Sequence, residues 1–129
     1  MIGGPLPLIV LPGAFAICRL SPDTSIPLWA TSRDFFSLTR TEDELSVVCR
    51  QTDVPESVVC ERNWRGLRVA GTIPFSVVGV LASLTQPLAE AWISVFAVST
   101  FDTDYLLVKE QDLEKAVECL RRQGHAVPK

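Results

Sequence analysis

Two carboxylates stand two residues apart in the run STFDTDYLLV, at Asp102 and Asp104. Paired carboxylates whose environments differ can divide acid and base roles between them. In a turn, however, aspartate more often accepts hydrogen bonds from backbone amides, and both readings stay open at this point. Four cysteines, Cys18, Cys49, Cys60 and Cys119, offer thiols, but none has C-x-x-C spacing. Three of them sit in the apolar runs AICRL, VVCRQ and VVCER, which points to buried, reduced thiols packed as small apolar groups. No neighbouring histidine or cationic helix start is at hand to lower a thiol pKa. His125, the single histidine, has no HxxH or HxxE partner, so neither a metal site nor a catalytic triad is expected around it. It reads as a surface or edge-strand residue. Neither G-x-x-x-x-G-K-[ST] nor G-x-G-x-x-G occurs, which removes those routes to a nucleotide. Trp29, Trp64 and Trp92 read as core or interface anchors rather than a stacking platform. With no nucleophile, base and electrophile in one set, an enzyme is not expected, and no cofactor or metal is called for.

The chain must then supply a scaffold for binding. Its 129 residues suit one ordinary domain or two very small ones sharing a core, and 47% of them are hydrophobic. A net charge of -3, with only 12 Lys and Arg, argues against nucleic acid as a partner. Small basic groups exist, at Arg62, Arg65 and Arg68 and at Arg121 and Arg122, without changing that balance. The opening MIGGPLPLIVLPGAFAICRL has the look of a secretion signal. It lacks a basic start, though, and Pro5, Pro7 and Pro12 interrupt its apolar stretch. The apolar runs fall short of the roughly 20 residues of a membrane span. Unpaired cysteines fit a cytoplasmic address.

Periodicity places the elements. Leu6 to Leu11 and Ala14 to Leu20, split by Pro12-Gly13, read as a strand pair or one bulged strand. Residues 21–27 are loop, with a short turn at Leu28-Trp29-Ala30. Phe35 to Thr39 and Leu45 to Arg50 form a hairpin around the solvated turn residues Glu42, Asp43 and Glu44. Asp53 to Glu56 resembles the start of a short helix, and Val58 to Glu61 a weak strand. Arg68 to Ile73 is a strand. Val77, Val80, Leu81, Leu84 and Leu88 then follow helical spacing, with Ser76 as a cap and Pro87 as a kink or restart. Trp92 to Val98 and Tyr105 to Lys109 are strands. Leu113, Ala116, Val117 and Leu120 repeat the helical stripe, with Arg121 and Arg122 in the last turn and Gly124 at the C′ position. His125 to Val127 suits a terminal edge strand. Residues 66–127 thus spell βαββαβ, the ferredoxin-like order of an α+β fold.

At this point FFSLTRTEDELSVVC (35–49), VLASLTQPLAEAWIS (80–94) and STFDTDYLLVKEQDL (99–113) resemble a family of bacterial proteins with tandem ACT-like repeats. The same modules build the CASTOR arginine sensors of animal cells and the regulatory domains of aspartokinases. The resemblance runs from about Leu8 to His125. It implies two repeats, a degenerate one over residues 1–63 and a fuller ACT domain over 64–129. It also implies a non-catalytic regulatory module that binds a small molecule, an amino acid by class, and often forms a homodimer. The animal sensors carry four repeats and this chain two, so a site between repeats would lie within the pair or across a dimer.

In ACT folds the strand-to-helix loop and the following helix start form the effector site. That places ligand contacts at Pro74, Ser76, Val77, Val78, Gly79 and Val80, with Ser94 facing the loop. By the same resemblance, Asp104 accepts a ligand's amino group, and Thr100 and Phe101 are its neighbours. Glycine one turn into a helix costs up to about 1 kcal/mol against alanine, so Gly79 suggests a close approach of backbone or ligand. The competing readings are an ordinary tight connection, and an interaction or scaffold dimer without a ligand.

Overall fold

The computed structural model describes residues 4–31 and 34–128. The first three residues of the signal-like opening lie outside them. Strands β1 (Leu8–Leu20), β2 (Ser37–Arg40), β3 (Leu45–Arg50) and β4 (Cys60–Val69) precede helix α1 (Val80–Glu90). Strands β5 (Val95–Ser99) and β6 (Asp104–Lys109) and helix α2 (Leu113–Arg122) follow. The chain divides into two compact units, one of residues up to Pro12 together with Arg65 onward, the other Gly13–Trp64.

In the first unit the strand order is β1-β4-β6-β5. β5 and β6 pair antiparallel, with Val95 opposite Val108 and Ser99 opposite Asp104. The stripe read from the sequence packs as expected: Leu84 and Leu88 of α1 and Ala116 and Leu120 of α2 are fully buried. They meet Leu67 and Val69 of β4, Leu106 and Val108 of β6, and Leu8 of β1 in one apolar core. Pro87 sits within α1 without ending it.

Both helices end in the same motif. At α2 the Gly124 N–H donates to the Arg121 carbonyl at 2.9 Å and the His125 N–H to Leu120 at 3.1 Å. Gly124 has φ +95, the left-handed conformation that glycine adopts without penalty. At α1 the Trp92 N–H donates to Ala89 at 3.0 Å and the Ile93 N–H to Leu88 at 2.9 Å. The residue in the left-handed position there is Trp92, at φ +60. This helix ending delays β5 to Val95, three residues later than expected.

The fourth strand place is filled differently from the sequence reading. Ala126 makes a single parallel bridge to Pro7, and the start of β1 lies beside β4, with the Ala70 N–H donating to the Pro7 carbonyl at 2.9 Å. Residues 125–127 therefore do not extend into a strand of their own. The helix ending turns the chain at Gly124, and Pro128 lacks an N–H to continue a ladder. The expected strand Arg68–Ile73 is also corrected: β4 runs Cys60–Val69 and absorbs the weak strand at 58–61.

The second unit has the order β2-β3-β1-β4. β1 pairs antiparallel with β3, from Phe15 opposite Arg50 to Leu20 opposite Leu45, and β2 pairs with β3. Pro12-Gly13 does not break β1 in two; Gly13 at φ +79 carries the strand through. A Cβ at Gly13 would overlap the Arg50 guanidinium, which lies 5.3 Å from the Phe15 ring centroid. Asn63 sits at φ +66 inside β4, where asparagine is among the tolerated types. Gln51 holds it from both sides, accepting its N–H at 2.5 Å and donating to its Oδ1 at 3.0 Å.

No α-helix covers this core among the described residues. Short 3-10 turns at Leu28–Thr31 and Gln51–Asp53 do so, around Ala30, Val54, Val47, Cys18 and Cys49. No helix starts at Asp53–Glu56; the 3-10 turn Gln51–Asp53 ends on the first residue of that range. Val54 is extended (φ -85, ψ 124), as the residue preceding a proline prefers.

Candidate ligand-binding site

The connection from β4 to α1 builds one wall of the site. The Ile73 N–H donates to the Asp102 carbonyl at 2.7 Å, and the Val77 N–H to Pro74 at 3.0 Å. Helix α1 begins at Val80 with Gly79 as N-cap, at φ +85 and with no side-chain cap. Ser76 is therefore not the cap. The first turn of this 11-residue helix has neither an acidic residue nor a capping side chain, so no side chain of its own offsets the positive end of the helix dipole.

The β5–β6 turn builds the other wall. The Thr100 N–H donates to the Thr103 carbonyl at 2.8 Å, and the Thr103 N–H to Thr100 Oγ1 at 3.2 Å. Thr103 is buried, and its hydroxyl donates to the Val69 carbonyl at 2.7 Å, tying the turn to β4. Asp104 opens β6, where Ser99 Oγ donates to its Oδ1 at 2.6 Å. Phe101 meets Phe75 edge to face, with centroids 5.0 Å apart, although both rings are about three-quarters exposed.

Together these walls enclose a hollow of about 220 Å³. Of the residues expected at the site, Pro74, Val77, Val80, Thr100, Phe101 and Asp104 line it. Ser76, Val78, Gly79 and Ser94 are exposed and stand outside the lining. Ile73 and Phe75, which lie in the 71–80 loop where the site is expected, line it as well, and Ser99 and Thr103 line it without having been singled out in the sequence. Ser99 could have been found from hairpin register, since a four-residue turn puts it opposite Asp104. The contact of Phe75 with Phe101 carries no such local signal, because the two rings lie on different loops. Asp102 is exposed and outside the lining, so the two carboxylates do not converge as an acid–base pair.

The arrangement offers an uncapped helix start for an anion, a carboxylate for a cation, and Val77, Val80, Phe75 and Phe101 for apolar groups. Its volume falls below the roughly 300–1,000 Å³ of drug-sized pockets and suits a smaller molecule. A larger groove of about 630 Å³ lies along Ile9, Val10, Leu113 and Val117. Size does not make it the better candidate: its Arg121 already donates twice to the Val127 carbonyl, at 2.9 and 2.6 Å.

The remaining reactive groups are structural. His125 is buried rather than on the surface, with Nδ1 accepting the Leu6 N–H at 3.1 Å and Nε2 lying 3.4 Å from the Ser83 carbonyl. All four cysteines are free thiols. Cys18 is pushed up by its hydrogen bond to Cys49 and by burial, while Cys49 is pushed down by that same bond. Cys49 is only 2% exposed, which keeps it from any substrate. Cys60 is pushed up by desolvation. Trp64 is buried and Trp29 packs against the second core, whereas Trp92 is 93% exposed and is no core residue. Among the described residues no group of three His, Cys, Asp or Glu side chains could hold a metal ion, and no helix is long and apolar enough to cross a membrane.

Comparison with known proteins places this geometry. A family model described as "ACT domain" matches residues 59–122, and a second, described as an N-terminal domain, matches 13–57. "Cytosolic arginine sensor for mTORC1 subunit 1" of Bos taurus is 34% identical over 100 residues, covering 69% of this chain and 30% of that protein. The chain thus spans about a third of the length of these sensor relatives. "Putative protein CASTOR3P" of Homo sapiens is 32% identical over 114 residues, 75% of this chain and 70% of that one. Among solved structures, a protein of Agrobacterium tumefaciens superposes with a TM-score of 0.92 at 39% identity, covering 98% of this chain and 94% of that chain. The aspartate kinase of Clostridium acetobutylicum shares the fold at a TM-score of 0.66 and 14% identity, over 95% of this chain and 35% of the kinase.

Proposed function

This chain belongs to the ACT-domain family, and from that premise we propose that it is a non-catalytic regulatory module that binds a free amino acid in the hollow between the α1 start and the β5–β6 turn. The observation that carries this reading is the pairing of opposite recognition elements across one small hollow. A free amino acid presents a carboxylate and an ammonium group about 3 Å apart, and each needs a charge-assisted partner on burial. The uncapped N-terminus of α1 answers the carboxylate. Asp104 answers the ammonium group, with Thr100 beside it, and Val77, Val80 and Phe101 receive the side chain. Relatives named as cytosolic arginine sensors support a cytoplasmic address and make arginine the first amino acid to try.

The test is a thermal-shift screen of the twenty amino acids, followed by calorimetry with the one that binds. A ligand at about a hundred times its dissociation constant adds roughly 2.7 kcal/mol of stability. Undiminished binding by Asp104→Asn would remove the site assignment. Silence across the whole screen at millimolar concentration would favour the second reading, an interaction module without a ligand. The exposed Phe75–Phe101 pair speaks for that one.

A further inference from the structure

Asp104 is the one ionisable side chain lining the hollow among the described residues. The other charged element is the positive end of the α1 dipole, which no side chain of the first turn offsets. One negative and one positive element match the two backbone charges of a free amino acid. Neither is left over for a charged side chain.

The hydroxyls of the lining have their protons committed. Thr103 Oγ1 donates to the Val69 carbonyl at 2.7 Å and Ser99 Oγ to Asp104 Oδ1 at 2.6 Å. Thr100 Oγ1 donates to the Thr103 carbonyl at 3.1 Å and accepts the Thr103 N–H at 3.2 Å. Recruiting any of them for a ligand amide would break a bond that builds the turn. The rest of the lining is apolar and continuous with the core. Val80 is 5% exposed and shares that core with Leu84 and Leu106, and Ile73 and Val77 pack partly buried against it. A guanidinium or ammonium group reaching this floor is stripped of water without a counter-charge. A second carboxylate there is also repelled by Asp104. At about 220 Å³, the liquid share of about seven waters, the hollow suits a short branched chain rather than a long or two-ring one.

Resting on the amino-acid reading above, we infer that this hollow selects a branched aliphatic amino acid, the class of valine, leucine and isoleucine, and rejects arginine and lysine. The ligand's side chain lies against Ile73, Val77 and Val80. Val77 sets the specificity. It is only partly buried, on the loop that precedes α1, whereas Val80 is a core residue as well as the floor. The Val77 backbone bond to Pro74 does not depend on its side chain. Replacing Val77 therefore reads selectivity apart from folding, which replacing Val80 does not.

Calorimetry on the full chain compares valine, leucine and isoleucine with alanine, arginine, lysine and glutamate. One of the branched three should bind tightest. Alanine should bind on the order of 10–200-fold more weakly, the range set by a methylene missing from a hydrophobic pocket. The three charged amino acids should bind more weakly still. Val77→Asp supplies the missing counter-charge and should make arginine or lysine the tighter ligand. Val77→Thr keeps the shape of the wall and decides the matter if the aspartate variant does not fold. Its hydroxyl, unpaired against an aliphatic chain, should weaken the branched ligands roughly tenfold. Wild-type protein that binds a charged amino acid as tightly as the best branched one would overturn the inference, as would branched ligands indifferent to Val77→Thr. Arginine bound by wild type and lost in Asp104→Asn would leave the amino-acid reading standing while this narrower one falls. Silence toward every amino acid would remove both.

Discussion

The Ser99 hydroxyl donates to Asp104 Oδ1 at 2.6 Å, at the turn end of the β5–β6 hairpin where the two residues are register partners. One oxygen of the carboxylate is thus held by the hairpin, which fixes the orientation of the group at the rim of the hollow. Removing the charge and removing the support should therefore have different effects. Asp104→Asn should weaken amino-acid binding by about 1.5–3 kcal/mol, the range for a hydrogen bond to a charged group. Ser99→Ala should weaken it less, since the carboxylate remains. Calorimetry on both variants checks the order, and equal losses would show that the hairpin bond, not the charge, governs binding.

Gly124 holds the left-handed position at the end of α2, at φ +95. A Cβ at Gly124 meets only Pro5 Cγ, at 4.0 Å, so Gly124→Ala carries no clash. Its cost is conformational and should be about 1 kcal/mol of destabilisation in urea unfolding. An unchanged midpoint would mean that the turn relaxes to negative φ.

His125 ties the start of the described chain to its end. It is 6% exposed, and its Nδ1 accepts the Leu6 N–H. Replacing it with leucine keeps apolar bulk but leaves that donor unpaired, which should cost about 1–3 kcal/mol. Hydrogen exchange should localise the loss to the Leu6 and Leu8 amides. Wild-type protection there would contradict it.

The cysteines should matter through packing alone. Cys18 and Cys49 are each 2% exposed in the core of the second unit, and Cys60 is only partly buried against it. Single alanine replacements at Cys18 and Cys49 should cost about 1–2 kcal/mol, and Cys60→Ala less. Amino-acid binding should be retained in all three. Loss of binding with stability intact would assign a thiol a role that its burial does not suggest.

What the sequence determined by itself was whatever a short window contains. The stripes of α1 and α2 are periodic within three turns, and both helices formed where Leu84, Leu88, Ala116 and Leu120 required. Gly124 was legible because a C′ glycine is a local signal. The hairpins at 37–50 and 95–109 follow from alternation around polar turns. Asp104, Thr100 and Phe101 entered through resemblance of a contiguous run, and they do line the hollow. The tertiary structure decided the rest, because those outcomes depend on partners distant in the chain. Pairing with Pro7 left Ala126 as a single bridge, and the Leu6 amide made His125 a buried acceptor, 119 residues away in sequence. Gln51 held Asn63 in a conformation that let two expected strands fuse into β4. Phe75 meets Phe101 across two loops that the Ile73–Asp102 hydrogen bond also joins, a contact between separate segments. Periodicity reports which face of an element seeks burial; it carries no term for which remote group will be waiting there.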